Sequence, residues 1–85
     1  MAKEEIYSNL TEIFSTLLQM SDLSLSAEMT ANDISGWDSL THVRLILEVE
    51  KHFGIKFAVA ELTRFENVGE LVELIEGKCD EKAEQ

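Results

Sequence analysis

Residues 36–57 read GWDSLTHVRLILEVEKHFGIKF, and this segment has the strongest helical pattern in the chain. A stripe of apolar residues at helical spacing runs along it and consists of Leu45, Ile46, Val49 and Phe53. Asp38 stands where an N-cap is expected, and Gly54 stands where a helix commonly ends. The pattern therefore predicts a helix that begins at Ser39 and ends at about Phe53.

A second apolar stripe lies beside the first on the same predicted helix and consists of Leu40, Val43 and Leu47. One contact with a core does not require so wide an apolar arc. The helix is therefore expected either to be central to its bundle or to bind something on its second face.

The segments before this helix divide into another helix and a long loop. From Lys3 to about Met20 a single apolar helical face is formed by Ile6, Leu10, Ile13, Phe14, Leu17 and Leu18. Residues 21–38 show no sustained period, and a loop of this length in a small domain is often functional. Its apolar residues are expected to pin it to the core: Leu23, Leu25, Met29, Ile34 and Trp37.

After residue 57 the pattern predicts a short connector with about one and a half helical turns near Val59 to Arg64, followed by a last helix. Asn67 is its predicted cap, and Gly77 is predicted to end it. We therefore predict an all-α fold. It is a small four-helix bundle of three main helices and one short helix, with a long loop between helices 1 and 2. Residues 1–77 form the predicted domain, and residues 78–85 form a polar C-terminal tail.

Length and charge narrow the classes of function. Eighty-five residues make one domain, and 7 Lys and Arg against 17 Asp and Glu give a net charge of −10. Such a surface repels nucleic acid and anionic membranes and suits partners with basic docking patches. No apolar run is long enough to span a membrane, and the N-terminus does not resemble a signal peptide. We expect a cytoplasmic monomer.

The chemistry of the sequence is concentrated where the loop meets the predicted helix 39–53. Ser39 is expected to be exposed in the first helical turn, at the positive end of the helix dipole, where a phosphodiester would be stabilised. His42 follows three residues later on the same helix face, and a serine–histidine pair is also found in hydrolases. No third group is evident to orient the histidine, and no G-x-S-x-G turn is present. We therefore predict no catalytic residue. Two separated histidines and the single cysteine, Cys79, also predict no metal site.

The motif at Ser39 resembles a known family. Asp38-Ser39-Leu40 and the helix that follows it resemble the modification motif and second helix of acyl carrier proteins. Further matching positions are Val43, Leu45, Ile46, Glu50, Phe53, Gly54 and Ile55. The resemblance covers nearly the whole chain, including the first helix, the long loop and the last helix.

This resemblance implies a carrier and not an enzyme. A phosphopantetheinyl transferase would move 4′-phosphopantetheine from coenzyme A onto the Ser39 oxygen. The arm ends in a thiol that carries an acyl group as a thioester. The carrier would present it to acyl-activating enzymes, acyltransferases or synthases of a fatty-acid, polyketide-type or specialised pathway.

Several other residues receive predicted roles at this site. Asp38 is first an N-cap, and by resemblance it also helps to orient the serine and a metal ion in the transferase complex. Trp37 is expected to anchor the loop and to flank the arm, Leu40 to adjoin it, and His42 to contact the arm or a partner. The residues expected to bind partner proteins are Val43, Arg44, Leu47 and Glu48.

Two departures from the family's fatty-acid members limit the identification of a pathway. Thr41 and Arg44 occupy positions where those carriers often have acidic residues, which favours a specialised carrier with its own partners. Two alternatives stay open. An aminoacyl, peptidyl or D-alanyl carrier has the same fold and arm, and an unmodified helical adaptor could bind partners through the helix 39–53.

Overall fold

Three amphipathic helices and one short 3₁₀ helix make up the protein. The computed structural model describes residues 2–21, 23–62 and 64–83. The elements are α1 (Lys3–Leu18), α2 (Ser39–Phe53), the 3₁₀ helix η1 (Val59–Glu61) and α3 (Val68–Ala83). No strand occurs in these ranges, so the prediction of an all-α fold is confirmed. The fourth helix of the predicted bundle is reduced to three residues of 3₁₀ helix.

The apolar stripes meet in one core. Helix α1 packs against both α2 and α3. The largest side chains that are fully buried are Phe14, Ile6, Leu10, Leu45, Leu71, Ile75, Val49, Val68 and Val72. They come from all three helices at the positions that the helical period selects. Burial of their apolar surface, at roughly 25 cal/mol per Å², is the main force that holds the helices together.

The helix ends follow local capping rules. The Asp38 carboxylate caps α2, and Gly54 ends it with a φ of 67°, which L-residues with side chains rarely adopt. Helix α1 ends at Leu18, two residues before the predicted Met20. Gln19 turns into the left-handed region, with a φ of 54°, and the N–H of Met20 donates to the carbonyl of Ser15 at 3.0 Å.

The C-terminal end of α3 corrects the sequence-based prediction. Gly77 does not end the helix, which continues to Ala83. Contacts beyond the glycine hold these turns. The Nζ of Lys78 lies 2.8 Å from Oε1 of Glu61, and Cys79 packs against the core. A mid-helix glycine costs only about 1 kcal/mol relative to alanine, which such contacts offset. The division between a domain 1–77 and a tail 78–85 stays a prediction, but residues 78–83 continue the helix.

The long loop is anchored at both of its ends. Ile34 and Trp37 are buried, and Leu23, Leu25 and Met29 pack against the core, as predicted. Two backbone hydrogen bonds then tie the loop to the start of α3. The N–H of Val68 donates to the carbonyl of Met29 at 2.8 Å, and that of Gly69 donates to Ala27 at 3.0 Å. The loop therefore holds the turn that contains Ser39 in a fixed position.

A membrane-spanning element was not predicted from the sequence. Among residues 2–21, 23–62 and 64–83, no helix combines the length and the apolar character that crossing a bilayer requires.

Candidate attachment site at Ser39

Ser39 is the first residue of α2, and its side chain is exposed. The turn around it is fixed by the residue before it. The N–H of Thr41 donates to Oδ1 of Asp38 at 2.9 Å, and the N–H of His42 donates to the Asp38 carbonyl at 2.8 Å. Asp38 is therefore the N-cap that the sequence predicted. Because the Ser39 side chain is exposed, it is accessible to another protein.

The electrostatics of this turn favour an anion on Ser39. The hydrogen bond from the N–H of Thr41 lowers the pKa of Asp38 below its ordinary value of 3.8, so the cap stays ionised at neutral pH. The first turn of α2 contains no acidic residue. Along the chain, the acidic side chain next to the positive end of the helix dipole at Ser39 is the capping carboxylate of Asp38. A phosphodiester attached to the hydroxyl is compatible with this arrangement.

Trp37 anchors the site to the core. Its side chain is 7% exposed, and its ring meets that of Phe14 edge to face, with centroids 5.1 Å apart. The predicted anchoring role of Trp37 is therefore confirmed. Gly36, one residue earlier, has a φ of +91°, and an added Cβ there would lie 3.1 Å from Cδ2 of Leu18. The turn that contains Ser39 is therefore packed closely against α1.

His42 uses both of its ring nitrogens within the protein. The indole Nε1 of Trp37 donates to Nδ1 of His42 at 3.2 Å, and Nε2 of His42 lies 2.9 Å from the carbonyl oxygen of Leu62. An indole N–H can only donate, so Nδ1 accepts and Nε2 carries the proton that it donates to Leu62. The ring of Phe65 lies 5.2 Å from the imidazole between centroids. His42 therefore has no free nitrogen to act as a base toward Ser39.

Sequence reasoning did not find these partners of His42. Leu62 lies 20 residues beyond it, and Phe65 follows in the same connector. No local spacing predicts such a contact, because it depends on how the connector folds back over α2. The sequence itself shows only that Trp37 and His42 lie five residues apart.

Two hollows adjoin the site. A small cavity of about 310 Å³ beside the serine is lined by Ala31, Trp37, Asp38, Ser39 and His42. A mostly apolar groove of about 390 Å³ runs between α2 and the connector that contains η1. It is lined by His42, Val43, Ile46, Leu47, Glu50, Phe57 and Leu62. The N–H of Phe57 donates to the carboxylate of Glu50 at 2.8 Å, which ties the connector to α2. A narrow polar chain attached at Ser39 could lie in the cavity beside the serine, and an apolar group at its end could lie in the apolar groove.

The second apolar stripe of α2 is exposed. The exposed fractions are 70% for Leu40, 57% for Val43 and 58% for Leu47. Arg44 and Glu48 are exposed on the same helix. The wide apolar arc seen in the sequence therefore does not serve the core alone. An exposed apolar stripe of this kind is typical of a binding surface.

Within residues 2–21, 23–62 and 64–81 no group of three histidine, cysteine or acidic side chains is placed to hold a metal ion. His52 lies on the surface, and its Nε2 is 3.0 Å from Oδ1 of Asn9.

Comparison with known proteins places this geometry in a family. The family model described as "Phosphopantetheine attachment site" matches residues 8–75. An acyl carrier protein of Thermotoga maritima is 35% identical over 77 residues, which cover 91% of this chain and 95% of that protein. An acyl carrier protein of Cyanidium caldarium is 31% identical over 83 residues, which cover 98% and 96% of the two chains.

A solved structure agrees with these sequence matches. The solution structure of a holo acyl carrier protein from Geobacter metallireducens superimposes with a TM-score of 0.86 and is 42% identical. The match covers 93% of this chain and 91% of that one. Together with the family model, this shows a non-catalytic acyl carrier whose cofactor is 4′-phosphopantetheine. The chain belongs to the phosphopantetheine-binding acyl carrier protein family.

Proposed function

We propose that Ser39 is the residue that bears the 4′-phosphopantetheine arm. The observation that carries this proposal is the position of its hydroxyl, exposed at the first residue of α2 and capped by Asp38. The family match extends over this turn. Ser35, an exposed serine of the loop before α2, does not lie at a helix N-terminus. The bound arm supplies a thiol that holds an acyl group as a thioester.

The neighbours of Ser39 would hold the turn in the shape that a transferase needs. Asp38 fixes the first turn of α2, and Trp37 attaches it to Phe14. Trp37 and His42 line the cavity beside the serine, so they would flank the base of the arm. Leu40, whose side chain is 70% exposed, would adjoin the arm from the helix side. By resemblance to the family, Asp38 would also help to orient the serine and a metal ion in the transferase complex.

The proposal is tested by the intact mass of the protein after incubation with coenzyme A and a broad-specificity phosphopantetheinyl transferase. The expected result is a gain of one phosphopantetheine in the wild type and in the Ser35→Ala control, and no gain in Ser39→Ala. An unmodified wild type, under conditions that convert a control carrier, would instead favour the unmodified helical adaptor. Loading assays with acyl-activating and amino-acid-activating enzymes would then identify the class of cargo.

We propose further that the carrier serves a specialised pathway, in the cytoplasm, through partners that dock on α2. The surface available beside Ser39 is apolar, and its nearest exposed charged residue on α2 is Arg44. The first turn of α2 has no acidic residue, although the whole chain carries a net charge of −10. An acyltransferase or synthase that fits this surface would have an apolar recess for Val43 and Leu47 and a carboxylate facing Arg44. Glu48 lies one turn further and would meet a basic residue.

Charge reversal tests this docking surface. Arg44→Glu should weaken use of the loaded carrier by its own partner enzymes and should improve its use by enzymes of housekeeping fatty-acid synthesis. Lys56→Glu makes the same change in charge at an exposed position outside α2 and should alter neither. Efficient chain elongation on the wild-type carrier by the housekeeping enzymes would defeat the proposal of a specialised pathway.

A further inference from the structure

The two hollows near Ser39 share one side chain. His42 lines both the small cavity beside the serine and the apolar groove between α2 and the connector. The other residues of the first hollow come from the loop and the start of α2, whereas those of the second come from later turns of α2 and from the connector. A flexible chain that runs from the cavity beside Ser39 into the groove would therefore pass His42.

The imidazole is fastened on both sides of this passage. The indole of Trp37 donates to Nδ1 at 3.2 Å on the side of the serine, and Nε2 donates to the carbonyl of Leu62 at 2.9 Å on the side of the connector. The rings of Trp37 and His42 are stacked, with an angle of 14° between their planes, and Phe65 lies against the imidazole. Movement of this ring requires the loss of two hydrogen bonds together.

We infer that His42 is a gate between the attachment point and the apolar groove. In its Nε2–H tautomer it fastens the connector to the Ser39 turn and keeps the acyl end of the arm out of the groove. A chain that enters the groove from the side of Ser39 does so when the imidazole swings away from Trp37 and Leu62. This inference rests on the proposed function for the arm and adds a positioning role for a residue that does not touch the reacting thioester.

The test compares a short and a long cargo on the same arm. Acetyl and octanoyl forms are prepared with the transferase and the corresponding acyl-coenzyme A, and methyl resonances of Ile46 and Leu62 are recorded by NMR. Loss of two ordinary hydrogen bonds should raise the ratio of chain inside to chain outside the groove by about tenfold. The expected result is a small difference between the two cargoes in the wild type and a large one in His42→Ala. The matched control, His52→Ala, should behave like the wild type.

A second variant and a second measurement distinguish failure of the gate from failure of the proposed function. His42→Leu fills similar space without hydrogen bonds and should also admit the octanoyl chain. Equal methyl shifts in the wild type and in both His42 variants would overturn the gate. If no arm can be installed, which the intact mass reports, the proposed function fails. The fastening of the His42 ring, on which the gate depends, is read separately from the ¹⁵N spectrum of the unmodified chain. A proton on Nε2 supports this fastening, and a proton on Nδ1 overturns the gate because the bond from Trp37 would be absent.

Discussion

The ring of Trp37 meets the ring of Phe14 edge to face, with 5.1 Å between the centroids and 72° between the planes. This contact attaches the turn that carries Ser39 to a fully buried residue of α1. The proposed attachment site is thus held by the hydrophobic core and by the cap of α2, and not by the loop alone. The same tryptophan also donates to His42, so one side chain connects the core, the turn that contains Ser39 and the proposed gate.

The first prediction concerns this anchor. Trp37→Ala removes a large buried ring and should lower the free energy of unfolding by about 3 to 5 kcal/mol. Trp37→Phe keeps an aromatic edge against Phe14 but loses the N–H donor to His42, and should cost about 1 to 3 kcal/mol. Urea denaturation followed by circular dichroism measures both. Two variants as stable as the wild type would show that the anchor is unimportant.

Two glycines of α3 provide a matched pair of substitutions. A Cβ at Gly69 would lie 2.9 Å from Cβ of Ala27 and 3.2 Å from its carbonyl oxygen. Gly69→Ala should therefore push the loop away and destabilise the protein by about 1 to 3 kcal/mol. A Cβ at Gly77 meets nothing within 4 Å, so Gly77→Ala should stabilise the helix by about 0.5 to 1 kcal/mol. Thermal unfolding should show shifts of opposite sign, and shifts of the same sign would contradict the observed packing.

How far the sequence predicts this fold depends on how local each signal is. The bounds of α2 follow from Asp38, Gly54 and an apolar stripe between them, all readable within 17 residues. The end of α3 cannot be predicted in the same way. Gly77 is a local signal for a helix end, but contacts made by residues beyond it allow the helix to continue. Lys78 reaches Glu61, and no periodicity within α3 reveals that partner.

The candidate site shows the same division. The position of Ser39 at the start of α2 and the cap by Asp38 could be predicted, because both depend on short-range patterns. The environment of His42 could not be predicted, because the carbonyl of Leu62 reaches it only after the connector folds over α2. The exposure of Leu40, Val43 and Leu47 could be predicted only in part. The pattern shows an excess of apolar surface, but only the fold shows which stripe is buried.

The cap of α2 predicts a dependence of stability on pH. The pKa of Asp38 is lowered in the folded protein, so its charge contributes stability that is fully present above its ordinary pKa of 3.8. That contribution is lost as the pH falls below 3.8 through the folded-state value. Asp38→Asn keeps a capping oxygen but no charge. The difference in melting temperature between wild type and variant should be largest at neutral pH and should shrink below pH 3.8. A difference that does not change with pH would contradict the role of the charge.

The net charge of −10 predicts a dependence of stability on salt. Repulsion between carboxylates opposes the compact state, and dissolved ions screen it. The melting temperature should rise with sodium chloride and with divalent cations. Replacing the exposed Glu70 and Glu73 with Gln removes two of the charges and should reduce this rise. A melting temperature that is independent of ionic strength in both proteins would count against self-repulsion.

The central claim is that Ser39 carries the arm and its acyl cargo. Mass spectrometry of the protein purified from its native source, followed by mapping of the peptide that contains Ser39, tests this claim most directly. We expect one phosphopantetheine on Ser39, with an additional acyl mass on part of the sample. Hydroxylamine should remove this acyl mass, as it does for a thioester. An unmodified Ser39 in all of the protein, or an arm on any other residue, would contradict the account.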